Sequence, residues 1–170
     1  AVSTIIDTLL KIIKKGGADQ KILILGRHSF DIDTYLEDGR VELDKETGKI
    51  TVEELGVSID IEFLTVHKAK GIEADNVIVL NLQNNLYGFA NKLTDDPLLS
   101  LLLSQGEKDL TFYDNKDKPL FFPEERRLLY VALTRTKNKV YLMVPDNESL
   151  FINEIAEYAG YLLSDTGDEY

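Results

Sequence analysis

Residues 21–26, Lys-Ile-Leu-Ile-Leu-Gly, form an apolar run too short for a helix and without the polar alternation of a half-exposed strand. That pattern belongs to a strand buried on both faces, and such strands sit in parallel sheets joined by helical crossovers. The rest of the chain supplies both kinds of element. Ile5, Ile6, Leu9, Leu10, Ile12 and Ile13 recur at helical spacing over residues 2–15, which end in Lys14, Lys15 and the Gly16-Gly17 stop. Residues 57–66 alternate Val57, Ile59, Ile61 and Phe63 against Ser58, Asp60 and Glu62, and residues 76–82 are a second buried run. Helices are predicted over 29–36, 95–104, 124–136 and 147–163, a strand over 139–144, and a charged loop over 106–123. Residues 41–52 alternate weakly around Lys45-Glu-Thr-Gly48 and predict a hairpin. The expected fold class is α/β, a mostly parallel sheet flanked by helices in three layers. One domain is expected over residues 1–163, with a small hairpin insertion near 40–56 and an acidic flexible tail over 164–170.

At 170 residues the chain is long enough to bury a core without covalent staples. It has no cysteine, which excludes disulfides and cysteine zinc sites and fits a reducing cytoplasm. Neither His28 nor His67 has another histidine at ligand spacing, so no metal site is expected, and His28 reads as an ordinary residue of a helix-start turn. Apolar runs such as Leu98–Leu103 are too short to span a bilayer, and the opening Ala1-Val-Ser-Thr lacks the basic region of a signal peptide, so no membrane association is expected. The absent initiator Met suggests an excised or processed domain. The net charge of -11 argues against a free-standing, nonspecific binder of nucleic acid, whose affinity rests on Lys and Arg. A local cluster can still touch a strand if a partner domain supplies most of the positive field. Ser29, Ser58 and Ser149 lack a nucleophile-elbow context, which leaves hydrolase chemistry unsupported.

Ligands of parallel sheets gather at the carboxyl ends of the strands, here Gly26-Arg27, Thr65–His67 and the loop after Val79. Thr65 and His67 offer donors to phosphate oxygens, Gly71 permits a tight turn, and Glu73 can accept from a sugar hydroxyl. The alternative is a polar turn in which Lys68 and Lys70 are merely solvated. On the helix over 124–136, Leu128, Val131, Ala132 and Arg135 share one face. Arg135 either complements the helix dipole, worth about 0.3–1 kcal/mol, or aims at a phosphate of a neighbouring site. Glu124 and Arg127 form an i, i+3 pair at the helix start.

Thr65-Val-His-Lys-Ala-Lys-Gly-Ile-Glu73, followed by an aliphatic strand, resembles motif V of the UvrD/Rep-type superfamily 1 DNA helicases. Glu124-Glu-Arg-Arg-Leu-Leu-Tyr-Val-Ala-Leu-Thr-Arg135 resembles motif VI, and Ile22–Arg27 is similar to motif IV. The run from Lys70 to Arg135, with Gly88-Phe89, is similar to the helicase IV branch. The three motifs frame most of residues 20–145, the extent of a C-terminal RecA-like domain.

That resemblance implies the C-terminal motor domain of an ATP-dependent DNA helicase, of the kind active in DNA repair, moving 3′ to 5′. Arg27 and Arg135 would act catalytically, projecting from the same sheet edge onto the γ-phosphate of ATP. The ATP and Mg2+ would be held mainly by an N-terminal RecA-like domain of the same protein. Glu73 would meet the ribose, with Gly71 allowing the approach, while Thr65 and His67 would touch the backbone of single-stranded DNA. Two departures stand out: Gly26 replaces the adenine-stacking aromatic of many relatives, and only Gly39–Gly56 stands where relatives often carry an accessory subdomain. The chain holds no Gly-x-x-x-x-Gly-Lys-Ser/Thr run and no strand ending in Asp-Glu, so the isolated chain is expected to lack ATP turnover. The alternatives are a non-catalytic α/β interaction module derived from such a domain, and part of a helicase–nuclease subunit.

Overall fold

A computed structural model describes residues 2–37, 39–84, 87–89, 123–145 and 147–158. They fall into two compact units, one within Ala1–Asn81 and Arg127–Met143, the other within Leu82–Arg126 and Val144–Tyr170. The first unit opens with helix α1 (Val2–Gly16), followed by strand β1 (Lys21–Gly26). A short antiparallel hairpin, β2 (Val41–Leu43) and β3 (Ile50–Val52), precedes β4 (Asp60–Thr65) and β5 (Ala74–Val79). Helix α2 (Pro123–Leu133) leads into β6 (Thr136–Leu142). The main sheet has the order β4-β1-β5-β6, and all its pairings are parallel.

Strand β1 is central because it is apolar on both sides. Ile22 and Ile24 join Ile5, Leu9 and Ile12 of α1, Ile61 and Phe63 of β4 and Ile78 of β5 in one buried cluster. Leu23 and Leu25 point to the opposite face by strand alternation and are equally inaccessible. Burial on this scale stabilises by about 1.5–3 kcal/mol for each large aliphatic side chain. The expected α/β architecture with a parallel sheet is thus present.

The hairpin forms where alternation placed it, with Val41 opposite Val52 and Leu43 opposite Ile50. Its loop is fixed by Asp44, whose carboxylate accepts from the Thr47 hydroxyl at 2.7 Å and the Glu46 backbone N–H at 2.9 Å. Those donors, Thr47 foremost, hold the Asp44 carboxyl below its usual range. The hairpin leans on β4: the Phe63 N–H donates to the Gly48 carbonyl at 2.8 Å, Lys49 bridges to Glu62, and Lys49 pairs with Asp60.

Several boundaries differ from the sequence expectation. The predicted helix over 29–36 is reduced to one 3-10 turn, Asp33–Tyr35, because the buried Asp31 carboxylate accepts from the His28 N–H at 2.9 Å and closes a tight turn first. Strand β4 starts at Asp60, the partner of Lys21 at the first residue of β1, so residues 57–59 have no ladder to join. Strand β5 starts at Ala74 and β6 at Thr136, since these two residues pair ahead of a bulge. The elements expected over 95–104, most of 106–123 and the tail over 164–170 lie outside the described residues. Among the described residues, no helix is long and apolar enough to cross a membrane.

In the second unit, helix α3 (Leu150–Tyr158) follows Ser149, whose buried hydroxyl donates to the Phe89 carbonyl. Arg126, in the first turns of α2, grips the Glu154 carboxylate through both terminal nitrogens and lies over the Phe151 ring at 5.1 Å. The Arg126 hydrogen bonds are the main reason the Glu154 carboxyl is held below its usual range. A depressed carboxylate contributes stability that is present above its unfolded value and is lost as pH falls through the folded value. The gap in stability between wild type and Glu154→Gln is therefore expected to narrow on acidification from near neutrality to below about pH 4. Because the pair is partly exposed, the gap should stay below about 1 kcal/mol at neutral pH. Urea titrations at several pH values check this, and a gap that widened with acid would refute the assignment.

Candidate nucleotide and nucleic-acid sites

Three of the sequence-derived residues, Arg27, Thr65 and His67, fall at the carboxyl edge of the sheet because β1 and β4 are neighbours. Gly26 and Thr65 end β1 and β4 in register, and the Val66 N–H donates to the Gly26 carbonyl at 3.0 Å, extending the ladder by one residue. Arg27 and His67 follow at this edge. The Thr65 carbonyl then accepts from the N–H groups of Lys68 at 2.9 Å and Ala69 at 3.1 Å, turning the chain back, with Ala69 buried beneath the turn. His67, Lys68 and Lys70 are left exposed.

Gly26 owes its identity to close approach. The turn over residues 27–31 folds back on it, and a Cβ built there would lie 2.9 Å from both the Asp31 Cβ and the His28 carbonyl oxygen. A larger side chain at this position has no room while the turn keeps its place.

The remaining residues converge at the opposite edge. Gly71 takes a left-handed conformation (φ +85°) that ends the turn, and Glu73 precedes the first residue of β5. The Ala74 N–H donates to the Arg135 carbonyl at 3.0 Å, which brings Glu73 and Arg135 together. Arg135 lies two residues past the end of α2, and its side chain folds back on that helix. Nε donates to the Val131 carbonyl at 3.0 Å and a terminal nitrogen donates to the Thr134 hydroxyl at 3.2 Å. This is the cation-at-helix-terminus arrangement that was one of its two readings.

The expectation that Arg27 and Arg135 project from one sheet edge is not met. Arg27 follows the carboxyl end of β1 and Arg135 precedes the amino end of β6. The register separates them by roughly 25 Å along the strands, at about 3.3 Å per residue. The cause is topological: in a parallel sheet every helix-to-strand entry lies on one edge and every strand exit on the other. The six candidates accordingly divide into Arg27, Thr65 and His67 on the exit edge and Gly71, Glu73 and Arg135 on the entry edge.

Beside the exit edge, sequence reasoning missed an open cleft of about 400 Å³ between the turn after β1, the hairpin loop and the end of β4. Phe30, Lys45, Glu46, Thr65 and Lys68 contribute to its walls. Phe30 is 48% exposed and stacks on His28 with ring centroids 4.8 Å apart and planes within 5°. The only sequence signal was the His28-x-x-Asp31 spacing, the back half of a capping box, which brings residues 28–31 into a compact turn.

A family model for the UvrD-like helicase C-terminal domain matches residues 42–147, through both compact units and both of the longer motifs. Among curated relatives, the chain is 31% identical over 137 residues to DNA helicase IV of Escherichia coli (strain K12), covering 79% of this chain and 16% of that protein. It is 24% identical over 139 residues to the probable DNA helicase II homolog of Rickettsia felis, covering 82% of this chain and 17% of the relative. It is 30% identical over 135 residues to the exonuclease/helicase subunit RexA of Lactococcus lactis subsp. cremoris, covering 62% of this chain and 11% of that protein. The chain thus spans about a sixth of the length of the first two. With the match extending over more than half of the sequence and containing Thr65–Glu73 and Glu124–Arg135 whole, the chain belongs to the UvrD-like helicase C-terminal domain family.

Proposed function

We propose that this chain is the C-terminal motor domain of an ATP-dependent DNA helicase, working against an N-terminal RecA-like domain of the same protein. The observation that carries the reading is the division of candidate residues between the two sheet edges, with Glu73 and Arg135 tied together on one by the Ala74–Arg135 backbone hydrogen bond. The entry edge is the nucleotide side. There Glu73 accepts from the ribose, Gly71 leaves space for the approach, and Arg135 supplies positive charge to the γ-phosphate as an arginine finger. ATP and Mg2+ are held mainly by the N-terminal domain, since this sequence carries no phosphate-cradling loop. The exit edge is the strand side, where Thr65 and His67 donate to the single-stranded DNA backbone. Arg27 joins this second group in our reading, since it follows Gly26, the register partner of Thr65, at the end of β1 opposite to the Arg135 end.

The connection over residues 66–73 joins the two sides directly, running from the strand contacts to the ribose contact. Closure of the nucleotide cleft around Arg135 would therefore be felt at Thr65 and His67 as a displacement of one rigid sheet. The test is the salt dependence of single-strand affinity in the full-length protein. Arg27→Ala and the Thr65→Ala, His67→Ala pair should weaken binding, and loss of the Arg27 contact should reduce the slope of log K against log salt by about 0.7. Arg135→Ala should leave that slope unchanged. An unchanged slope in Arg27→Ala together with collapsed ATP turnover would return Arg27 to the nucleotide and refute the division.

A further inference from the structure

The Arg135 side chain is held at the end of α2 by the residue before it. Its Nε donates to the Val131 carbonyl at 3.0 Å and its Nη2 to the Thr134 hydroxyl at 3.2 Å. These two donors share one side of the planar guanidinium, so the clamp fixes the orientation of the plane as well as its position. The hydroxyl is itself anchored. It lies 3.0 Å from the Tyr130 carbonyl and 3.1 Å from the Val131 carbonyl, so its proton is committed to the helix end and a lone pair is turned to Arg135. Beneath it the Thr134 backbone N–H donates to the Tyr130 carbonyl at 3.0 Å, which continues the helical turn. A cation that only complemented the helix dipole would need nearness to the last carbonyls, not a neighbouring hydroxyl fixed by two of them.

We infer that Thr134 is a positioning residue for Arg135: its hydroxyl and the Val131 carbonyl grip the Nε–Nη2 side of the guanidinium, which presents the Nη1–Nη2 end as a preset fork for a phosphoryl group. The inference rests on the reading of Arg135 as the γ-phosphate finger and adds how that finger is aimed. The end edge carries two parallel N–H donors, the pair that matches two oxygens of one phosphoryl group. An unrestrained arginine samples several rotamers, and freezing one of them at the moment of transfer slows the reaction. Here the helix end fixes the rotamer beforehand. Threonine suits the task because its β-branch limits rotation while its hydroxyl bonds the carbonyls of the preceding turn. Thr134 thus acts through the guanidinium alone.

The test measures ATP turnover of the full-length protein under saturating single-stranded DNA, with kcat and KM separated. Thr134→Val keeps the shape and the β-branch but removes the hydroxyl. It is expected to lower kcat by about 10- to 100-fold, the scale of a misplaced contact. The KM for ATP should stay near the wild-type value, because the aimed fork matters most in the transition state. Thr134→Ser retains the acceptor and should keep kcat close to the wild type. In an Arg135→Ala background, Thr134→Val should bring no further loss. Thr134 is exposed, so these changes leave the buried cluster intact, and thermal melts check this. Should Thr134→Val melt below the assay temperature, Thr134→Ala carries the same comparisons. Wild-type kcat in Thr134→Val beside collapsed turnover in Arg135→Ala would refute the positioning role and leave the finger standing. An equal fall in Thr134→Ser, or a further fall in the double variant, would also refute it, since the loss would then run by another route. Wild-type turnover in Arg135→Ala would remove the finger itself, and the positioning role with it.

Discussion

Replacing Arg135 with alanine in the full-length protein is expected to lower DNA-stimulated ATP turnover by about 10³-fold or more, the scale of an arginine finger, with the domain still folded. The structural duties of Arg135 are light. It donates to the Val131 carbonyl and the Thr134 hydroxyl at the end of α2, and losing a partly exposed cation there costs about 0.3–1 kcal/mol. Arg135→Lys separates the two duties. Lysine keeps a positive charge at the helix end but lacks the planar fork that engages a phosphoryl group through paired N–H donors. Its melting temperature should match the wild type while its turnover stays near that of the alanine variant. Phosphate release under saturating ATP and single-stranded DNA, read beside thermal melts, decides the matter. Turnover within twofold of wild type in Arg135→Ala would remove the assigned role, whatever happened to stability.

Introducing even a methyl group at Gly26 should destabilise the domain by about 1–3 kcal/mol, the usual cost of forcing extra volume into a packed site. The added Cβ would meet the His28 carbonyl and the Asp31 Cβ at 2.9 Å, and neither is the free end of a flexible side chain. Asp31 is buried and bonded to the His28 N–H, while its carbonyl accepts from the Asn81 side chain at 3.4 Å. Relief would therefore require the whole 27–31 turn to lift, taking Arg27 and Phe30 with it. For a domain of this size the loss corresponds to a fall in melting temperature of several degrees, at about 2–4 °C per kcal/mol. Gly26→Tyr, with far more volume to place, should be worse and should also weaken single-strand binding. A Gly26→Ala variant that melts with the wild type would show that the turn yields freely.

Much of this fold can be read from local pattern, and its limits are equally specific. Strand β1 and helix α1 announce themselves because burial on two faces and on one stripe leaves different spacings in the sequence. The hairpin follows from alternation around Lys45–Gly48. What escaped is whatever depends on a neighbour. The start of β4 is set by where β1 begins, the starts of β5 and β6 by their mutual pairing, and the collapse of the 29–36 helix by one buried carboxylate. The family match covers both longer motifs, yet the single sheet edge expected for Arg27 and Arg135 is not what the strand order gives. The information was present in chain order: Arg27 follows an apolar strand, whereas Arg135 precedes one, and in a parallel sheet that difference fixes opposite ends. The His28–Phe30 stack had no comparable signal, since two aromatic rings two residues apart meet only when the backbone between them bends.

The hairpin leaning on β4 has a further consequence for the protein in solution. By capping the outer margin of that strand it leaves β6, which at the other end of the sheet has no second strand neighbour among the described residues, as the flank where an intruding chain could add itself. Lys137 and Lys139 sit on that flank, both exposed, and successive ammonium groups deter such addition. Removing the hairpin would therefore do more than shorten a connection: it would open a second, apolar flank along Ile61 and Phe63, and self-association at rising concentration is the behaviour to expect.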